Sequence, residues 1–451
     1  MPTGEVVYQG DKILFVGHDY PGHIDEEINA GNSLVGPGFI DLDALGDLDT
    51  TVLAFDNQPG WRKGRIVADD WLRRDLYSRE QLDFAKRYAY SQLLRNGITS
   101  FAPITSILYR QWAEDFDEYL YAADVAESLG ARAWLGPAFM AGYYVTDASG
   151  RFSRREDRAQ ARRGLDDAQR FYQRLRQRGV PTLSGMLAPD RIEGGDPQWL
   201  AELAALVAEL ACPTRLHCCQ SELEIGEIAR RYNGKSSLEV LEDVGLLNRR
   251  MLLPHGQFLG GERPDPQRIA QDIDRLARSG ATVVSCPMVS GRHAKYLEQY
   301  PQLRAGRRQY GARYRYLPAG YVQQYASGHD PYPVVTGDIA AASSADYYRM
   351  ATLGGAKALG PRRFGATRSG LPGGYDRGEP LINLRWGRYS TLSPRWWLSG
   401  NGRDVTGTIV AGRKVYWEGR NGTGRLRPRG TARRVAERVR PYSAQLSGTH
   451  G

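Results

Sequence analysis

The chain has 451 residues, 41% of them apolar and 25% charged, and a formal charge of +9. That composition suits a large buried core and excludes a disordered or fibrous chain. Residues 420–451, with eight Arg against the single acid Glu437, hold +7 of the charge and leave +2 for the rest, so the body is near neutral and gives no ground for specific nucleic-acid binding.

The first stretch, MPTGEVVYQGDKILFVG, lacks a basic region followed by an apolar run, and the most apolar helical window, 199–213, carries Glu202 and Glu209, so neither a signal peptide nor a membrane span is expected. Residues 5–16 alternate around Gly10-Asp11 as a hairpin. NSLVGPGFIDLDA (32–44) reads as an apolar strand broken at Pro37-Gly38 and closed by an acidic loop with Asp41, Asp43, Asp47 and Asp49. Residues 78–97 form a helix with a Ser cap and a Gly stop, and ITSFAPI (98–104) is a strand.

The rhythm then repeats. Helices over 111–129, 154–178, 197–211, 236–246 and 265–279 lead into strands RAWLGPAF, VPTLSGMLAP, TRLHCC, MLLPH and ATVVSCP. A Tyr- and Arg-rich stretch across 288–332 interrupts it before PVVTGD (333–338) and a helix over 343–359. Counting from PGFID gives eight strands with intervening helices, an α/β chain of the (β/α)8 TIM-like barrel type. A second hairpin, 404–420, turns at Ala411-Gly412, and two marginal hairpins from opposite ends of the chain suggest a small composite β-sandwich. The expected domains are that sandwich from 1–36 and 366–420, a barrel over 37–365 and a dispensable basic tail over 421–451.

Ligand-type residues stand at three strand ends: His217 in RLHCCQSELE, His255 in MLLPHG and Asp338 in PVVTGD. A lone histidine at a strand end is more often a hydrogen-bonded structural residue, but three such ends on one barrel face point to an active site. Asp43 either caps the segment after its strand or joins that site. The four cysteines form no spaced framework and read as reduced thiols, which makes the cytoplasm the expected compartment. Cys218 and Cys219 read as packing thiols. The stretch 294–325 suits either a lid or an interface, and Arg307, Arg308 and Arg313 are candidates to hold an anionic or aromatic substrate.

The segments VYQGDKILFVG, NSLVGPGFID, LLRNGITS, LHCCQSELE, GLLNRRMLLPHG, GATVVSCP, RMATLGGAKALG and GTIVAGRKVYWEGR occur in the order found in the amidohydrolase superfamily. Over roughly residues 4–420 the chain resembles most the aminohydrolases and chlorohydrolases of heterocycles, guanine and cytosine deaminases among them. The resemblance implies a barrel with a composite sandwich and a zinc or iron ion at the strand ends. It places His217, His255 and Asp338 at ligand positions, with Asp338 as general base, and puts Asp43-Ala44-Leu45 where the family has His-x-His. Gln220 replaces the family's glutamate and cannot shuttle a proton, though it can hydrogen-bond a substrate; Ser285 replaces a seventh-strand histidine. A metal would then rest on His217, His255, Asp338 and Asp43, and so few imidazoles imply weak binding or a harder ion.

Three functions follow: a metal-dependent hydrolase of a C–N bond in a small heterocyclic or anionic molecule, a metal-free enzyme doing acid–base chemistry on the same scaffold, or an inactive binding protein. The expected partner is a small-molecule substrate, with neither nucleic acid nor membrane; a homodimer is left open.

Overall fold

The computed structural model describes residues 4–29, 33–47, 75, 77–104, 110–146, 151–287, 296–309, 315–318, 336–338, 341–342, 344–360, 383–388, 405–417, 420–421 and 432–436. Its centre is two four-stranded parallel sheets. In one, Phe39–Leu45, Ile98–Ile104, Arg132–Leu135 and Leu183–Gly185 lie side by side in chain order; in the other, Thr214–Arg215, Met251–Pro254, Thr282–Ser285 and Arg315–Pro318 do the same. The sheets join where Leu187 bridges Thr214 in parallel, with Arg215 N donating to Leu187 O at 2.9 Å. Because the strands of each sheet are parallel and adjacent in chain order, their carboxyl ends fall on one side.

The helices end where the sequence chemistry says they should. Arg79–Arg95 starts at a Ser78–Gln81 capping box, and aspartates 115, 157, 196 and 265 each cap a helix by accepting a backbone N–H. Gly130, Gly179 and Gly280 close three helices in the left-handed region, where a side chain would be strained. The sheets are filled by side chains such as Leu42, Phe101, Ala133, Leu216, Leu252 and Val284, all fully buried. Strands open to helices on both faces need such continuous apolar runs.

Two expectations change here. The stretch expected to interrupt the rhythm contains helix Tyr300–Gln309 and strand Arg315–Pro318, which pairs with Thr282–Ser285, so it supplies the regular unit after the seventh strand. PVVTGD was expected as the eighth strand, but its first part lies outside the described residues and Thr336–Asp338 are not in a strand; there Asp338 N donates to Thr336 Oγ1 at 3.3 Å. Tyrosine and arginine at alternate positions conceal a short strand from a hydropathy reading.

The chain ends form two further sheets. One runs Lys12–Gly17, Glu5–Gln9, Ala432–Ala436, Glu26–Asn29; the other runs Arg420–Asn421, Arg413–Trp417, Val405–Val410, Asn383–Arg388, Ser33–Pro37. Tyr8, Ile28 and Ile409 bury one another across them, and Lys414 Nζ reaches Glu26 Oε1 at 3.0 Å. The expected free tail from residue 421 therefore includes a strand, Ala432–Ala436, held between Glu5–Gln9 and Glu26–Asn29.

Candidate active site

Strand periodicity and register carry four side chains to one place. Along Phe39–Leu45, Asp41 and Asp43 share a face, and Asp43 N donates to Asp41 Oδ1 at 3.1 Å. Arg215 and His217 share a face at the end of the fifth strand by the same two-residue repeat. His255 follows the sixth strand with its N–H on Val284 O at 2.8 Å, and Cys286 follows the seventh with its thiol 3.4 Å from the same carbonyl. His255 takes a φ of +79° and Cys219 a φ of +54°, a conformation costly for residues with a Cβ and concentrated at functional sites. Cys219 O holds that turn by accepting from both Gln257 N and Phe258 N.

The four groups are buried and close. His217 Nε2 stands 3.6 Å from Asp43 Oδ1, Arg215 Nε 3.4 Å from the same oxygen, and Cys286 Sγ 3.6 Å from Asp43 Oδ2; the His217 and His255 rings are 5.5 Å apart. Arg215 commits Nη1 to Ala102 O at 3.0 Å and Nη2 to Pro103 O at 2.9 Å, which fixes its charge across the interior. Burial alone would raise the Asp43 carboxyl, but His217, Arg215 and His255 outweigh it and hold the group ionised well below the usual carboxylate range. Burial, reinforced by Asp43, pushes the Cys286 thiol well above its ordinary range.

These residues fit a divalent metal ion. His217 Nδ1 donates to Asp190 O at 2.8 Å, which leaves Nε2 facing Asp43. Among the described residues Asp43 Oδ1 is buried without a hydrogen-bond partner, with Arg215 Nε at 3.4 Å and His217 Nε2 at 3.6 Å, and a buried carboxylate oxygen so placed can take a cation. Donor atoms of Asp43, His255 and Cys286 all lie within 4.8 Å of one another. Two donors bound at tetrahedral angles are about 3.3–3.5 Å apart, close to the His217–Asp43 and Cys286–Asp43 separations.

The structure brings Asp43, His217 and His255 together. Asp338 is exposed, after the turn-forming Gly337. Gln220 is half-buried, with its backbone N–H on Glu224 Oε2 at 2.8 Å and its Oε1 buried and, among the described residues, without a hydrogen-bond partner; Ser285 is buried at the end of the seventh strand. Arg307 and Arg308 fall in helix Tyr300–Gln309 with side chains outside the described part, and Arg313 lies outside the described residues. Cys218 and Cys219 are buried. Sequence reasoning missed Arg215, Cys286 and Glu193. Arg215 sits two residues before His217, Cys286 one residue past a strand end, and both signals were present in the strand period. Glu193 lies in the loop laid against His217, where Ile192 N donates to His217 O at 3.1 Å, and its buried Oε2 has no hydrogen-bond partner.

The sequence profile of the Amidohydrolase family matches residues 53–306, more than half the chain. A 5-methylthioadenosine/S-adenosylhomocysteine deaminase of Pyrococcus abyssi is 26% identical over 442 residues, spanning 92% of this chain and 90% of that protein. Among solved structures, a zinc-bound adenosine deaminase from Xanthomonas campestris superposes with a TM-score of 0.68 at 17% identity, covering 93% of this chain and 89% of that one. The guanine deaminase of E. coli gives 0.68 at 16% identity, with 91% and 92% covered. With the four buried groups at the strand ends and a matching profile over most of the core, the chain belongs to the amidohydrolase family and is a hydrolase of carbon–nitrogen bonds other than peptide bonds.

Proposed function

We propose that this chain is a metal-assisted deaminase of a small heterocycle, that its eight parallel strands close into one barrel, and that the two terminal sheets pack as a composite sandwich beside it. The observation that carries this reading is the convergence of Asp43, His217, His255 and Cys286 from the first, fifth, sixth and seventh strands. The deaminases named above act on amino-substituted heterocycles, and the same bond cleavage suits this pocket.

Asp43, His217 and His255 would hold the ion, which supplies the Lewis acidity that makes water a nucleophile near neutral pH. The protein's own groups do the rest. The Asp190 carbonyl fixes the tautomer of His217. Gln220 Oε1 is an acceptor for a substrate amino or ring N–H. Since Gln220 carries no proton, the acid is assigned to Glu193, whose carboxyl burial raises and which can hold a proton for the departing amine. The charge of Arg215 beside Asp43 favours a second reading, in which the guanidinium takes the place of the ion and Asp43 with His217 acts as an acid–base pair.

Elemental analysis and ammonia release from a panel of 5-methylthioadenosine, adenosine and guanine, before and after chelation, separate the two. Under the metal reading the purified protein contains zinc or iron, chelation abolishes turnover, and Asp43→Asn or His217→Ala loses both the ion and at least about 100-fold in kcat/KM. Full activity in protein verified as metal-free would overturn it in favour of the second.

A further inference from the structure

Cys286 was not singled out by the sequence, and its environment is unusual for a packing thiol. A buried cysteine ordinarily lies among aliphatic groups. This one stands 3.6 Å from a buried, ionised carboxylate, is fully buried itself, and shares the Val284 carbonyl with the backbone of His255. Asp43, His255 and Cys286 come from three different strands, yet their donor atoms lie within 4.8 Å of one another. A sulfur at about 2.3 Å and an oxygen at about 2.0 Å from one tetrahedral ion are separated by about 3.5 Å, which is the edge that Cys286 Sγ and Asp43 Oδ2 already span.

Resting on the metal reading of this site, we propose that the Cys286 sulfur is itself a ligand, so that the centre is a mixed Asp43, His217, His255 and Cys286 set. Binding then releases the thiol proton to solvent and leaves a thiolate on the ion. The consequence is a metal preference opposite to the one expected from the lost imidazoles: a thiolate donor favours zinc, cobalt(II) or cadmium over magnesium and manganese.

The test is spectroscopic. Chelator-stripped protein titrated with cobalt(II) should develop visible d–d bands together with a near-ultraviolet sulfur-to-cobalt charge-transfer band, and zinc should displace cobalt where manganese does not. Cys286→Ser should lose the charge-transfer band and at least about tenfold in zinc affinity against a competing chelator dye, while Cys218→Ser keeps both. Because the wild-type spectrum reads the thiolate directly, a variant that fails to fold does not decide the matter. Cobalt bound with d–d bands and no charge-transfer band overturns the assignment of Cys286 and leaves the metal reading standing. Failure of the wild-type protein to bind cobalt or zinc overturns both.

Discussion

Arg215 and Glu193 show how much of the candidate site is second in sequence to its histidines and first in electrostatics. Against burial, His217 first and Arg215 after it hold Asp43 ionised, and Glu193 is an acid kept protonated toward higher pH by burial, with Arg191 3.7 Å away opposing that shift. If Glu193 is the acid, kcat should fall on the alkaline side as that proton is lost. Glu193→Gln is expected to lower kcat by about 10²–10⁴-fold and to abolish the alkaline limb, read from the pH profile of both proteins. An unchanged profile would remove Glu193 from the chemistry. His217, His255 and Asp43 were legible because ligand-type side chains at parallel strand ends have few alternative uses. Cys286 was not, because a thiol after an apolar strand reads as core until its distance to Asp43 is known. Asp338 matches its motif in sequence order and is exposed in the structure.

At the scale of elements, five ionisable side chains are packed behind the site between helices Arg79–Arg95 and Phe116–Leu129. Lys86 Nζ lies 3.1 Å from Glu114 Oε1 and 2.8 Å from Glu118 Oε1, Arg110 Nη2 donates to Glu118 at 2.6 Å, and Asp47 sits 4.0 Å from Arg110. Burial pushes Asp47 up to about 7 despite Lys86 and Arg110; elsewhere, burial and Glu193 bring Glu224 to about 7. A carboxyl whose folded pKa exceeds its unfolded value stabilises the fold while protonated. That contribution is complete below about pH 4 and fades as pH rises through about 7. Asp47→Asn should therefore raise the urea midpoint relative to wild type more at pH 8 than at pH 5, and equal differences at the two pH values would refute the sign. Helix ends were legible from Ser, Asp and Gly at caps, which act locally. The eighth strand was not, because Arg315–Pro318 owes its place to pairing with Thr282–Ser285 rather than to its own hydropathy.

For the molecule as a whole, the sheet that contains both ends of the described chain changes the status of the basic segment. Ala432–Ala436 pairs antiparallel with Glu5–Gln9 and parallel with Glu26–Asn29, so it is an internal strand of that sheet. A chain ended after Glu437 should keep its melting temperature, whereas one ended at Thr431 should melt several degrees lower and expose the edge of Glu5–Gln9; identical melting curves for the two would show the strand to be dispensable. The second sheet is anchored to the body independently, through Thr408 Oγ1 on Leu94 O at 2.9 Å and Arg413 Nη2 on Ser128 O at 3.0 Å.

That same pairing sets an order of events on the ribosome. Glu5–Gln9 and Lys12–Gly17 emerge long before their partner strand, and a two-stranded hairpin alone is marginal in water. Their partner strand Ala432–Ala436 follows roughly 420 residues later, about 20 to 85 seconds of synthesis at about 5–20 residues per second. Throughout that interval the edge of Glu5–Gln9 that Ala432–Ala436 will cover has no strand to pair with, and the core built from Phe39 onward can form before its oldest neighbour is complete. The hairpin is thus made well before the strand that secures it, which makes translation rate, and any factor that shields a nascent β edge, a determinant of how much active enzyme a cell obtains from each message.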